Sequence, residues 1–368
     1  MTGRERILTA IDRRQPDAVP VWELAFNEPS IVALARGFAD ESQLPEPKFY
    51  GDMSDLELLQ LVEAFAAMVR GLDIDGVCAP VNAQIERLDQ KHVRDEMGVV
   101  YHVSDFGEPY PVAGPLKDPA DVRGFRMPPV RDSDFLLIDM ARSRFPDRAV
   151  SYMMLGPFAL SWGLRGSLER LMMDYVENPA LVRDMARLTT DYCLESLEKI
   201  AAKGADFIVE ASDVAFISAP MISVSQFDEF LAVYFTEIVS RAHELGMKVV
   251  KHSDGVLTPL IPSLIKCGFD GIHPVQPQCM DIGETKRIFG DRLCIVGNID
   301  CAYLLVSGAP EDVRAAVRDT IAAAAPGGGY IISSSNTIHP GVKPENYVAL
   351  VKAAREFGRY ASLPATGA

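Results

Sequence analysis

The sequence predicts an α/β protein built as one (β/α)8 barrel over residues 1–368. Short apolar runs, each about the length of a strand, recur about eight times along the chain. Amphipathic stretches with helical spacing lie between them, and no long polar linker interrupts the alternation. Because parallel strands need crossover connections, this alternation favours a parallel sheet flanked by helices. A doubly wound sheet is the alternative, weakened because no GxGxxG motif follows any run.

The candidate strands, in chain order, are residues 19–22, 74–78, 150–154, 207–210, 248–252, 271–273, 293–297 and 330–333. The clearest helix is predicted over residues 178–203, where apolar residues recur at helical spacing. Pro179 suits its first turn, and Gly204 follows its end as a cap. Residues 84–132 are polar and rich in proline, which predicts an irregular excursion after the second strand, a hairpin-like flap over the barrel mouth.

The composition indicates a large globular protein and excludes several classes. The chain carries 36 basic and 51 acidic residues, a net charge of −15, and 48% of its residues are hydrophobic. This balance argues against nucleic-acid binding, which needs clustered lysine and arginine. We expect no membrane association, because there is neither a signal peptide nor a spanning apolar run. The six cysteines form no CxxC pair, which is typical of reduced thiols in the cytoplasm.

Polar side chains at two predicted strand ends are candidates for chemistry. His252 closes an apolar run, and Asp254 follows two residues later. Because alternate residues of a strand share a face, both should project from its carboxyl end, where barrels place their active sites. Glu210 and Asp213 follow the preceding strand. These donors predict a zinc site with His252, Asp254 and Glu210 as ligands and Cys301 as a substitute or fourth ligand.

Other side chains near the predicted strand ends are candidates for substrate binding. The aromatic ones could line a pocket or simply pack in the core. The candidates are Trp22, Phe26, Asn82, Tyr152, His273 and Asn336. Three further histidines, His92, His102 and His243, lack such a context, and we expect them to be surface or structural residues.

Motifs spread along the chain resemble the uroporphyrinogen decarboxylase superfamily. They are the opening at 4–20, GAD at 204–206 with SD at 212–213 and IS at 222–223, KHSDG at 251–255, GNIDC at 297–301, residues 327–336, and PEN at 344–346. They occur in the same order and cover nearly the whole chain. The resemblance implies a (β/α)8 barrel.

The resemblance implies one of two activities. True uroporphyrinogen decarboxylases carry an arginine-rich motif after the first strand and an aspartate after the second. Here those segments read ELAFNE at 23–28 and CAPVN at 78–82, so an anionic tetrapyrrole lacks its cationic partners. A decarboxylase-like lyase without metal is therefore the alternative.

The zinc-dependent, corrinoid-linked methyltransferases of the superfamily carry His-x-Cys after the fifth strand and another Cys near the eighth. This chain has His252, with Asp254 in place of the first Cys and Ser335 or Asn336 near the second.

The replacement of a thiolate by a carboxylate changes the expected chemistry. A set of histidine and carboxylate ligands leaves more positive charge on zinc, which suits the polarisation of an ether oxygen. We expect methyl transfer between a small methylated substrate, such as an aryl methyl ether, and cobalamin carried by a corrinoid-binding partner protein.

Glu210 or Asp213 would manage the proton. The sequence does not fix the direction of transfer. A non-catalytic binding module is a further alternative. A homodimer is compatible with the sequence.

Overall fold

A computed structural model describes residues 1–81, 84–104 and 109–362 as an α/β fold. The helices are α1 (Gly3–Ile11), α2 (Glu28–Ala35), α3 (Asp55–Leu72), α4 (Asp121–Gly124), α5 (Leu136–Arg144), α6 (Pro157–Arg165), α7 (Leu168–Glu177), α8 (Pro179–Ala202), α9 (Val224–Phe230), α10 (Ala232–Glu244), α11 (Ile261–Cys267), α12 (Ile282–Phe289), α13 (Leu304–Ser307), α14 (Pro310–Ala324) and α15 (Pro344–Phe357). The strands are β1 (Gly76–Ala79), β2 (Ile85–Arg87), β3 (His92–Asp95), β4 (Val100–Val103), β5 (Pro109–Ala113), β6 (Ala149–Met154), β7 (Phe207–Ala211), β8 (Lys248–His252), β9 (Gly271–His273), β10 (Cys294–Val296) and β11 (Tyr330–Ile331). Within the described ranges, no helix combines the length and apolar character needed to cross a bilayer.

Contacts divide the chain into two units. The first comprises Met1–Cys78, Ala141–Val150 and the chain from Gly271 onward. The second comprises Ala79–Met140 and Ser151–Asp270.

Parallel strands form the centre of the second unit. β6, β7 and β8 are neighbours in that order. Helices α6 to α8 connect β6 with β7, and α9 and α10 connect β7 with β8. Val209 and Val249 are fully buried, as expected for strands covered on both faces. The register pairs Ala211 with His252, so the loops after β7 and β8 begin side by side.

The longest helix, α8, confirms the prediction for residues 178–203. It spans Pro179–Ala202 and begins with the predicted proline in its first turn. Leu181, Met185 and Leu197 are buried on its apolar face. Gly204 has a φ of +81°, a left-handed conformation that glycine adopts without a steric penalty.

The proline-rich excursion contains a four-stranded antiparallel sheet in the order β2-β3-β4-β5. At the turn between β3 and β4, the Asp95 carboxylate accepts a hydrogen bond from the Val99 amide at 2.9 Å. Val93 is buried while its neighbour Arg94 is exposed, as expected for a sheet with one covered face. The strands are only 3–5 residues long, so their alternation gives a weak sequence signal.

The first unit also contains parallel strands. β9, β10 and β11 are neighbours in that order, with α12 before β10, α13 and α14 before β11, and α15 after it. The strand predicted at residues 19–22 forms only an isolated parallel bridge between Val21 and Ile332. Trp22 still donates its amide hydrogen to the Ile332 carbonyl at 3.1 Å. The chain therefore runs beside β11 without completing a regular strand.

A buried carboxylate fixes this segment within the first unit. Asp75 is fully buried and accepts hydrogen bonds from the Val21 amide at 2.8 Å and from Arg6 at 3.0 Å. The Arg355 guanidinium lies 2.8 Å from its other oxygen. Asp75 thus joins residues that are far apart in sequence, and its charge is balanced by two cations.

We expect Asp75→Ala to lower the free energy of unfolding by about 3–5 kcal/mol, because it breaks a buried ion network. Asp319→Ala is the control, since Asp319 is 68% exposed and its pair with Arg318 should contribute at most about 1 kcal/mol. Urea denaturation measures both. Equal losses for the two variants would contradict the role given to Asp75.

Candidate metal centre

Three potential metal ligands meet at the carboxyl ends of β7 and β8. They are Asp213, His252 and Asp254, and one ligand atom of each lies within 4.8 Å of the others. His252 Nε2 is 3.6 Å from Asp213 Oδ1. The Asp254 amide donates to the same oxygen at 2.9 Å. The structure thus brings the predicted His252 and Asp254 together, with Asp213 as the third member.

The donor types and their exposure fit a divalent metal ion. One imidazole and two carboxylates are ligands that zinc accepts, and three protein ligands leave a position for a substrate or water. His252 is buried at 7% exposure, whereas the Asp213 side chain is 39% exposed. One side of the group therefore has access to solvent, as a catalytic ion requires.

Short contacts between the two loops hold this group in place. Ser253 Oγ accepts a hydrogen bond from the Val214 amide at 3.0 Å and donates to the Asp254 carbonyl at 2.9 Å. Gly255 has a φ of +88°, and its backbone lies so close to the Phe216 carbonyl that a side chain would overlap it. The loops after β7 and β8 therefore contact each other at Ser253 and at Gly255, on either side of Asp254 in the sequence.

A buried ion pair lies on β7 and β8 just before the residues that carry the ligands. Glu210 and Lys251 are register partners on β7 and β8, and both side chains are fully buried. The Lys251 ammonium contacts the Glu210 carboxylate and donates to the Ser212 carbonyl at 2.5 Å. Burial raises the pKa of Glu210, and the charge of Lys251 opposes this rise. Of the two carboxylates proposed for this strand end, Glu210 faces Lys251 and Asp213 faces the histidine.

Tyr152 lines a cavity of about 110 Å³ in the same unit. Its ring packs edge-on against Phe135, with centroids 5.4 Å apart, and Tyr101 and Tyr192 also line the space. Met154, another lining residue, is the register partner of Glu210. The cavity therefore lies at the carboxyl end of β6, between that strand and α8, and its lining contains none of the three ligands. Asn82 falls outside the described residues.

Three of the other candidates are held by local contacts within the first unit. The Trp22 ring is edge-on to His273 at 5.5 Å, and His273 Nε2 lies 3.2 Å from Ser333 Oγ. Both rings are at most 1% exposed. Phe26 packs against Tyr347 at 5.4 Å.

The remaining two candidates of the first unit lie in turns. Cys301 is 5% exposed; its amide donates to Ser335 Oγ at 3.1 Å, and that hydroxyl lies 3.3 Å from the Cys301 sulfur. The Asn336 side chain accepts from the Thr337 amide at 2.8 Å. The thiol of Cys301 is thus engaged with a hydroxyl in its own unit.

Sequence reasoning missed a buried carboxylate in the first unit. Glu23 is 2% exposed and accepts hydrogen bonds from the amide and hydroxyl of Ser334 at 2.9 and 2.7 Å. Burial raises its pKa to about 8. The signal was a single acidic residue enclosed between Trp22 and Leu24, which would ordinarily mark a turn. Its partner lies 311 residues away in sequence, so no local pattern could reveal the contact.

Parallel strands with polar side chains at their carboxyl ends are the arrangement of an α/β enzyme. The sequence profile described as uroporphyrinogen decarboxylase (URO-D) matches residues 63–357, and the chain belongs to this family. The superfamily predicted from the motifs is thereby confirmed. The uroporphyrinogen decarboxylase of Coxiella burnetii is 24% identical over 374 residues, which cover 96% of this chain and 95% of that protein.

Other similar proteins carry methyltransferase names. The methylcobamide:CoM methyltransferase MtaA of Methanosarcina barkeri is 27% identical over 212 residues, covering 58% of this chain and 59% of that protein. A solved methyltransferase structure from Methanosarcina mazei superposes with a TM-score of 0.74 at 20% identity, covering 97% of this chain and 99% of that one. At this identity the likeness supports the fold alone.

Removal of the buried countercharge should destabilise the second unit. We expect Lys251→Met to lower the free energy of unfolding by about 3–5 kcal/mol, because Glu210 then remains buried without a partner. The double variant Lys251→Met/Glu210→Gln should recover most of this loss. Urea denaturation compares the three proteins. A double variant no more stable than the single one would show that the pair is not the cause.

The raised pKa of Glu23 predicts a pH dependence of stability. Between its unfolded pKa near 4.5 and its folded pKa of about 8, the folded state binds more protons, so stability should fall as pH rises. The loss reaches at most about 5 kcal/mol. The side chain of Glu23→Gln does not titrate. Between pH 5 and pH 8.5 the urea midpoint of this variant should therefore fall less than that of the wild type. If the urea midpoints of the two proteins change with pH in parallel, Glu23 is not the cause of the pH dependence.

Proposed function

We propose that this protein is a metal-dependent methyltransferase, which moves a methyl group between a small methylated substrate and a corrinoid carried by a partner protein. The observation that carries this proposal is the group formed by Asp213, His252 and Asp254 at the carboxyl ends of β7 and β8. Family membership and the relative named as a methylcobamide:CoM methyltransferase support it. We also propose that the chain forms a complete (β/α)8 barrel and that it acts in the cytoplasm.

Zinc is the metal that we propose, held by His252, Asp213 and Asp254. When bound, it would supply Lewis-acid stabilisation of negative charge on the substrate oxygen. The set contains no thiolate, which distinguishes it from the His-x-Cys pattern and favours an oxygen substrate. An aryl methyl ether is the substrate that we favour, because aromatic rings line the cavity.

The chain's own residues then bind the substrate and handle the proton. The bond between the ether oxygen and the methyl carbon would break with its electron pair on oxygen, and the corrinoid of the partner protein would accept the methyl group. The oxygen takes up a proton. Asp213 carries no proton as a metal ligand, so its solvent-exposed carboxylate would orient a water that delivers the proton. Glu210 is buried against Lys251 and positions the loop.

Tyr152 and its neighbouring rings orient the aryl group in this proposal. Asn82 is a further proposed substrate contact. The substrate roles of Trp22, Phe26, His273 and Asn336, and the ligand role of Cys301, stay predictions from the sequence.

A metal-free lyase is the second candidate, because relatives matched over nearly their whole length are named uroporphyrinogen decarboxylase. The segment 23–28 argues against a multiply anionic tetrapyrrole as the substrate. It carries two glutamates and no arginine, and Glu23 is held by Ser334 within the first unit. Metal content that is lost in His252→Ala separates the two candidates, since only the methyltransferase proposal requires an ion at this group.

Loss of one ligand should abolish both metal binding and methyl transfer. We expect His252→Ala to hold one equivalent of zinc less than the wild type and to form no methylcobalamin from cob(I)alamin and a methyl ether. Elemental analysis and the cobalamin absorption spectrum measure these changes. His243→Ala is the matched control, because His243 pairs with Asp270 outside the ligand group. Unchanged zinc content and unchanged methyl transfer in His252→Ala would overturn the proposal.

Asp254→Cys restores the His-x-Cys spacing and tests the role of the carboxylate. A thiolate donates more charge to the ion, so we expect zinc to be retained while ether demethylation falls by about tenfold or more. Asp254→Ala should lose both zinc and activity. Demethylation at the wild-type rate in Asp254→Cys would show that the carboxylate does not select the oxygen substrate.

A further inference from the structure

Two histidines face each other on the antiparallel sheet of the second unit. His92 on β3 and His102 on β4 are register partners. His102 Nδ1 lies 3.4 Å from His92 Nε2, and the ring centroids are 5.1 Å apart. The sequence predicted no site for these residues, because only the pairing of β3 with β4 brings them together.

The separation of the two nitrogens matches a pair of ligands on one metal ion. Zinc–nitrogen bonds of about 2.0–2.1 Å at a tetrahedral angle place two ligand nitrogens about 3.3–3.4 Å apart. The pair therefore needs little movement to exchange its hydrogen bond for a shared ion. Both side chains are partly exposed, so water can complete the coordination.

A carboxylate prepares His92 for this role. Both oxygens of Asp89 lie 2.9 Å from His92 Nδ1. Asp89 is itself held by the amides of Lys91 and His92, at 2.8 and 2.9 Å. Such a carboxylate holds the proton on Nδ1 and leaves the Nε2 lone pair directed at a metal, as outer carboxylates do for metal-bound histidines.

We propose that His92 and His102 form a second metal site, which binds a borderline divalent cation such as zinc or copper(II) and links β3 to β4. Imidazole nitrogens are ligands that these ions prefer. The site shares no residue with the group at Asp213, His252 and Asp254. The proposal of this second site is therefore independent of the proposed methyl transfer.

Copper(II) is the probe for the test, because nitrogen ligands leave hyperfine splitting in its electron paramagnetic resonance spectrum. The full chain carrying His252→Ala serves as the background, since this removes the first group. One equivalent of copper should show imidazole coordination, and calorimetry gives its affinity. His102→Ala in that background should weaken binding at least tenfold. Asp89→Asn, which keeps both ligands, should weaken it by about 10- to 100-fold.

His243→Ala in the same background is the control and should bind copper unchanged. Far-UV circular dichroism checks that each variant is folded, and Asp89→Asn gives a second result if His102→Ala does not fold. The proposal is overturned if His92→Ala/His102→Ala keeps both the affinity and the nitrogen splitting. It is also overturned if the background protein shows no imidazole coordination.

Discussion

Between β7 and β8, the Lys251 ammonium lies against the Glu210 carboxylate and the Ser212 carbonyl. Glu210 and Lys251 are register partners, so this contact aligns the carboxyl ends of β7 and β8. The next residues along each strand then emerge together, and Asp213 meets His252 and Asp254. A buried ion pair often adds little net stability, but removal of either partner is costly. We therefore regard its main contribution as placement of the ligands.

Much of the parallel core is predictable from local pattern. The apolar runs of β7 and β8 and the helical spacing of α8 appear where the sequence predicts them. For the antiparallel sheet the sequence predicts only a hairpin-like excursion, because the strands are 3–5 residues long and β5 contains two prolines. The segment at residues 19–22 shows the opposite error. It reads as a strand, but its pairing is limited to a single bridge with Ile332.

The candidate site is predictable only where strand geometry decides it. His252 and Asp254 converge as their two-residue spacing suggests. The choice between Glu210 and Asp213 is different, because it depends on the loop after β7 and on the partner that Lys251 offers to Glu210. The contact between His92 and His102 depends on hairpin register in the same way. Partners from another strand are not encoded in local periodicity, so a single sequence does not reveal them.

We propose above all that oxygen and nitrogen donors alone bind the metal ion, at Asp213, His252 and Asp254. X-ray absorption at the zinc edge tests it most directly, on His92→Ala/His102→Ala protein loaded with one equivalent of zinc. Zinc at this group should show a ligand shell of oxygen and nitrogen at about 2.0–2.2 Å, with one imidazole and no sulfur. A sulfur shell at about 2.3 Å, or a spectrum unchanged by His252→Ala, would contradict it.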